Sequence, residues 1–410
     1  MIGFNKYLVE AKNTHMEHLE DNVLNGGVDG ARQSINFLQS LRDMLAGNSN
    51  VKVNTTVKWD GAPAVFAGID PRDGKFFVAK KGIFNKNPKV YKTPAEVRAD
   101  TSGDLADKLV TCLKYLPELG IKGVIQGDLM FTQSDLRTQE IGGESCVTFH
   151  PNTIVYAVPT KTKLAKQIQS AKMGIVWHTT YTGSSFETMK ASFGKNIKSK
   201  LKASKNVWFD DATYRDVTGT ATMTQTETEE VTKVLSRAGT LFQTIKPAIL
   251  NGFANDEELL IMTKTFNNSK IRMGQPIIDN GASHVRGLVQ FITDKFQKDE
   301  DSKKTEAGKQ AVRERKQRVL KFFSNNDPME IAKVFDLMKL LVEAKIVIVS
   351  KMNKAEGIGT FLKTAVGFMA TSQEGYVAID HTGKNAVKIV DRLEFSRANF
   401  SPDILKGWQR

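Results

Sequence analysis

The chain reads as an α+β protein in which a sheet-rich part is interrupted by a long helical stretch and then completed near the C-terminus. Three observations predict this. Polar and apolar residues alternate with period two from 51 to 58, and short strand-like runs follow up to about residue 190. From about 227 to 354 the apolar residues recur at helical spacing instead, as in Val231, Val234, Leu235 and Leu241, and again in Ile331, Val334, Phe335, Met338 and Leu341. Period two then returns at Tyr376-Val377-Ala378-Ile379 and Ala386-Val387-Lys388-Ile389-Val390. The expected divisions are a helical segment at 1–50, a first sheet part at 51–190, a mainly helical insertion at 191–360 and closing strands at 361–410.

At the N-terminus, Met16, Leu19 and Val23, then Ile35, Leu38, Leu41 and Leu45, fall on helical faces, with Gly26-Gly27 and Gly30 as punctuation between them. Such a stripe needs a partner, and the expectation is a cover for the sheet. The strand at 51–58 follows. Further strands are expected at 76–79, 124–126, 153–158 and 174–180, with one helix at 103–115 between two of them. Most gaps show no crossover helix, which argues for α+β rather than a parallel βαβ array. Within the helical stretch, 295–321 carries ten Lys/Arg against five Asp/Glu. It reads either as a solvated helical connection or as a nucleic-acid contact. The two closing strands form a hairpin joined by 380–385.

Composition limits the function classes. The 410 residues, 40% hydrophobic, suffice for a substantial core. No apolar run approaches the roughly 18 residues of a membrane span, and no basic stretch followed by an apolar one opens the chain. The two cysteines, Cys112 and Cys146, suit a reducing cytosol, and the six histidines show no zinc spacing. The net charge of +13 favours polyanionic partners.

The chemistry centres on Lys58-Trp59-Asp60-Gly61-Ala62-Pro63, at the end of the first clear strand. A lysine nucleophile needs cationic neighbours or a dry pocket to lose its proton. Gly61 permits close approach of a nucleotide to the backbone. Asp60 is expected to orient the amine or hold a metal ion. This hexapeptide resembles the active-site signature of the covalent nucleotidyltransferases, which comprise the ATP-dependent DNA ligases, RNA ligases and mRNA capping enzymes. The resemblance extends in order through Phe77-Val78-Ala79-Lys80-Lys81-Gly82, Val124-Ile125-Gln126-Gly127-Asp128-Leu129, Gly174-Ile175-Val176-Trp177-His178, Glu374-Gly375-Tyr376-Val377 and Val387-Lys388-Ile389-Val390-Asp391-Arg392. It covers about 50–180 and 365–395.

The resemblance implies an antiparallel adenylation domain in which Lys58 takes AMP from ATP. It further implies Lys81 (or Lys80) on phosphate, Asp128 on ribose and metal, Trp177 stacked on the purine, Glu374 on Mg²⁺ or Mn²⁺, Val377 against the base and Lys388 on the α-phosphate. Lys388 and Lys81 are also expected to depress the Lys58 pKa. Asp128 stands where the family has glutamate. Val390 and Ile379-Asp380 stand where it often has lysine, and Arg392 is the expected substitute for the former.

The implied activity is the ATP-dependent joining of 5′-phosphate and 3′-hydroxyl ends. RNA is favoured by the Glu-Gly-Tyr-Val wording and by the roughly twenty residues after Lys388, too few for a C-terminal OB-fold. A DNA ligase clamping its duplex with the helical insertion is the alternative, and a non-catalytic nucleic-acid binder is a further one. Partners are then nucleic acid and no membrane, with a monomer favoured. The location is cytoplasmic, or the host cytoplasm for a phage-encoded chain.

Overall fold

The computed structural model describes residues 17–47, 54–85, 87–193, 196–213, 223–352, 358–365, 367–372, 374–379 and 386–408. The start of the first expected strand (51–53) and the hairpin connection at 380–385 lie outside them. In chain order the elements are α1 (Asn22–Asn25), α2 (Gly27–Leu45), β1 (Asn54–Lys58), β2 (Ala64–Ile69), β3 (Phe76–Ala79), α3 (Pro94–Asp100), α4 (Gly103–Tyr115), β4 (Val124–Thr132), β5 (Arg137–Ile141), β6 (Glu144–Phe149), β7 (Ile154–Pro159), α5 (Lys163–Ser170), β8 (Met173–Thr182), β9 (Lys190–Phe193) and β10 (Val207–Asp211). There follow α6 (Gln225–Thr244), α7 (Pro247–Asn255), α8 (Glu257–Arg272), α9 (Gly281–Ser302), α10 (Glu306–Ser324), α11 (Pro328–Met352), β11 (Gly359–Thr364), β12 (Gly367–Ala370), β13 (Gly375–Ile379), β14 (Ala386–Ile389) and α12 (Arg392–Phe400).

The chain is α+β, and the strands among the described residues form three sheets. One has the order β1-β13-β14. The second has the order β10-β8-β4-β2-β3, with β9 also on β8. The third has the order β12-β11-β7-β6-β5. Among the named strands all pairings are antiparallel except β10 on β8. That parallel strand moves the end of the first sheet part from the expected 190 to Asp211, and the long helices begin at Gln225. The side chain of Thr224 caps α6 by accepting from the Glu227 amide, and Glu227 caps Thr224 in return.

One apolar core spans α2 and helices α6 to α11, with Leu38, Leu41, Val231, Leu288, Phe335 and Leu341 fully or almost fully buried. The N-terminal helix therefore joins the bundle rather than forming a separate cover. The three-stranded sheet lies on the same core, through Val57, Tyr376, Val387 and Ile389. The charge-dense 295–321 segment forms the end of α9 and most of α10, where many charges pair with each other. Arg313 bonds Glu300 and Glu306, each at 2.8 Å, Arg315 and Arg318 both grip Glu258, and Lys303 pairs with Asp299. No helix among the described residues is long and apolar enough to cross a membrane.

Candidate active site

Strand register builds the site. Lys58, the last residue of β1, lies opposite Gly375, the first residue of β13. Antiparallel pairing thus delivers Glu374, one residue earlier, to the Lys58 amine, and the two form an ion pair. On the far side of β13, Val377 lies opposite Lys388 of β14 and opposite Thr56 of β1. Side chains alternate along a strand, and directly opposed residues share a face. Lys58, Val377 and Lys388 therefore share one face of this sheet, while Val57, Tyr376 and Ile389 bury the other in the helical core. Among the described residues, Lys388 has no hydrogen-bond or ion-pair partner for its amine. Its backbone amide donates to the Glu17 carbonyl at 2.8 Å.

The second sheet supplies the acids. A Cβ at Gly61 would lie 2.6 Å from the Asp128 Cβ and 3.1 Å from the Leu129 carbonyl oxygen, so only glycine fits there without displacement. Asp60 is 3% exposed. Its carboxylate accepts from Asn152 Nδ2 at 2.5 Å and from the backbone amides of Thr153 and Ile154 at 2.7 and 2.8 Å. Its own amide donates to the Tyr156 hydroxyl at 2.7 Å. These bonds commit Asp60 to anchoring the Lys58 turn on the β6–β7 connection. The expected role of Asp60 in holding a metal ion is corrected on that ground: its oxygens are already engaged by the protein.

Electrostatics bind the group together. Burial pushes the Lys58 amine down, but the charge and hydrogen bond of Glu374, with Asp128 and Asp60 nearby, hold it above the ordinary lysine value. The expected depression by Lys388 and Lys81 is thus outweighed by carboxylates. Burial, together with Asp60 and Asp128, pushes the Glu374 carboxyl up to about 7 against the pull of Lys58. Burial and the Lys58 charge hold Lys388 below the usual lysine range.

Three further expected residues fall differently. Trp177 is fully buried on the opposite face of its sheet from Asp128, among Leu109, Leu129 and Ile175 against α4. It packs the core and offers no face for a purine. A register shift beside Gly127 leaves His178 unpaired in the β4–β8 ladder, and such bulges re-aim side chains. His178 Nε2 consequently stands 3.7 Å from Asp128 Oδ2, and its Nδ1 is 2.7 Å from Thr179 Oγ1. This histidine sits where the sequence points to its neighbour.

Arg392 is buried, with Nη1 at 3.0 Å from Asp21 Oδ1 and 3.4 Å from Glu20 Oε1, and Nη2 at 2.6 Å from Asn268 Oδ1. Its guanidinium is committed to that cluster and does not replace the missing basic residue at Val390. Lys81 is exposed just beyond β3, at the sheet end that β2 leads toward Asp128. Its neighbour Lys80 pairs with Asp100 at 3.2 Å. A cavity of about 700 Å³ lies between α11, β11–β12 and α12, and none of Lys58, Asp128, Glu374 or Lys388 lines it.

The geometry defines a lysine paired with a buried glutamate, an aspartate close to that pair and a second lysine on the same sheet face as the first. The chain belongs to a family of unknown function, DUF6267, whose profile matches residues 13–403. No curated protein and no solved structure matches the chain.

Proposed function

We propose that this chain is an ATP-dependent polynucleotide ligase of the covalent nucleotidyltransferase type, acting through a Lys58-AMP intermediate. The observation that carries this reading is the three-strand register that sets Lys58, Glu374 and Lys388 together, although more than 300 residues separate the first from the other two. A chance Lys-x-Asp-Gly match gives no reason for its expected partners Glu374 and Lys388 to gather at the lysine.

In the first step the Lys58 ammonium gives its proton to the Glu374 carboxylate with which it is ion-paired. The freed Nζ bonds to the α-phosphorus of ATP as the bond from that phosphorus to the bridging β-oxygen breaks. Pyrophosphate leaves and a phosphoramidate remains. Lys388, poorly solvated and across β13 from Lys58, offsets charge on the phosphate oxygens. A 5′-phosphate end then takes the adenylate from Lys58, and attack by a 3′-hydroxyl expels AMP and closes the strand.

The donor set also fits the Mg²⁺ (or Mn²⁺) that such a reaction uses. Glu374 and Asp128 offer hard oxygen ligands, and among the described residues no three His, Cys, Asp or Glu gather into a cage. Mg²⁺ at nucleotide sites is held by one or two carboxylates together with phosphates. When bound, it would draw charge from the phosphate oxygens.

The test is strand joining with ATP on nicked RNA and nicked DNA. We expect joined RNA, with RNA favoured over DNA. Preferential DNA joining would select the duplex-clamping alternative. Joining of neither, with Lys58 still adenylylated, would overturn the polynucleotide acceptor.

A further inference from the structure

Ten lysines and a single acidic residue, Glu187, lie within 160–206, and they account for most of the net charge of +13. The fold gathers most of these lysines around one place. β10 is an edge strand of its sheet. On one side α5 buries Ala165 and Ile168 in a cluster shared with Trp208 of β10 and leaves Lys163 and Lys166 exposed. On the other side 198–205 runs beside β10 and exposes Lys198, Lys200, Lys202 and Lys205. The two sides meet where the Lys172 amide donates to the Asn206 carbonyl at 2.7 Å. Lys198 pairs with Asp210 at 3.1 Å and Lys172 Nζ bonds Gln133. Among the described residues, Lys161, Lys163, Lys166, Lys200, Lys202 and Lys205 have no acidic partner.

This edge leads to the candidate active site. The Ala212 carbonyl, just past β10, accepts from the Val57 amide at 2.6 Å, one residue before Lys58. From Asn206 to Ala212 an extended chain spans about 20 Å, long enough to face several phosphates. On α9–α10 the cations are interspersed with acids: Lys303, Arg313, Arg315 and Arg318 are ion-paired, and ten Lys/Arg stand against five Asp/Glu, a smaller excess than ten against one.

We propose that the lysines flanking β10 form a track for a polynucleotide backbone that leads a strand end to Lys58. The direction of travel rests on the ligase reading, whereas binding does not. Lysine is a point charge for phosphate and carries no base code, so the track reads backbone and not sequence. Lysines can also keep a sheet edge from pairing with another chain. Glutamate would preserve that protection and abolish polyanion binding, which separates the two roles.

The experiment compares the natural protein with Lys163→Glu/Lys166→Glu/Lys200→Glu/Lys202→Glu/Lys205→Glu. Anisotropy of labelled single-stranded RNA and of a nicked duplex is followed between about 50 and 200 mM salt without ATP. Self-adenylylation and thermal midpoint are measured in parallel. We expect an affinity loss of at least about tenfold and a log–log salt slope shallower by about 4, since each of the five phosphate contacts contributes about 0.7–0.9. Adenylylation and midpoint should hold, and Lys309→Glu/Lys316→Glu on α10 should bind within about twofold of the natural protein. Unchanged binding in the β10 variant would overturn the track. So would an equal loss in the α10 variant, or binding of the natural protein to anionic phosphatidylserine vesicles with none to polynucleotide. Failure of the natural protein to adenylylate, with the β10-dependent binding intact, would remove the ligase reading and leave the track standing.

Discussion

At the scale of single residues, two side chains that look alike in the sequence argument are separated by burial. Asp60 and Asp128 both lie near the lysine, but only Asp60 has its oxygens filled by backbone amides and Asn152. Asp60→Asn keeps the shape but removes the charge and, with its oxygen on the Thr153 and Ile154 amides, sets its NH2 group against the Asn152 donor. We expect a stability loss of about 1–3 kcal/mol, from chemical denaturation, together with slower adenylylation. Trp177 packs a core and His178 faces Asp128. Trp177→Phe should therefore cost about 1–2 kcal/mol and leave the half-saturating ATP concentration unchanged, whereas a raised ATP requirement at unchanged stability would return Trp177 to the nucleotide. Strand alternation in the sequence makes both residues visible. It does not reveal which one faces the site, because a bulge at this point changes the parity and a bulge is set by the partner strand.

At the scale of elements, β1, β13 and β14 were legible because each alternates cleanly over one buried and one open face. Their motifs gave the candidates Lys58, Glu374, Val377 and Lys388, which the register collects. Strands β5, β11 and β12 were not legible, since mostly exposed residues such as Arg137, Thr138, Gln139 and Glu140 in β5 carry little periodic signal. β10 was hidden by its parallel pairing with a strand thirty residues earlier, which no local pattern encodes. The burial of Glu374 between these elements has a measurable pH signature. Its carboxyl titrates near 7 folded against an ordinary 4.5, so the folded state holds this proton more tightly. The stability it contributes is full below 4.5 and is lost as pH rises through 7. Glu374→Gln should therefore gain on the natural protein between about pH 5 and pH 8 when urea midpoints are compared. A natural protein that gains on the variant over that range would contradict this environment.

At the scale of the whole molecule, the N-terminus, the bundle and the C-terminal helix are joined by one buried ionic cluster. Arg392 bonds Asp21, Glu20 and Asn268, and Lys345 Nζ bonds Glu20 at 2.7 Å. Removing one partner of such a cluster strands buried charge, so Arg392→Met should cost about 3–5 kcal/mol by denaturant unfolding. The same cluster explains why the sequence assigned Arg392 to phosphate: its partners Glu20 and Asn268 are too distant in the chain to be read as partners. The bundle core also underlies β13 and β14, which joins the helical part to the strands around Lys58 through Tyr376 and Ile389. The proposed function rests on one chemical event at Lys58. The most direct measurement is incubation with Mg²⁺ and ATP labelled at the α-phosphate, after pyrophosphate treatment to strip any adenylate already present, comparing the natural protein with Lys58→Ala on a denaturing gel. We expect a covalent, acid-labile band in the natural protein and none in a folded Lys58→Ala variant. No band in either protein, or a band that survives Lys58→Ala, would contradict it.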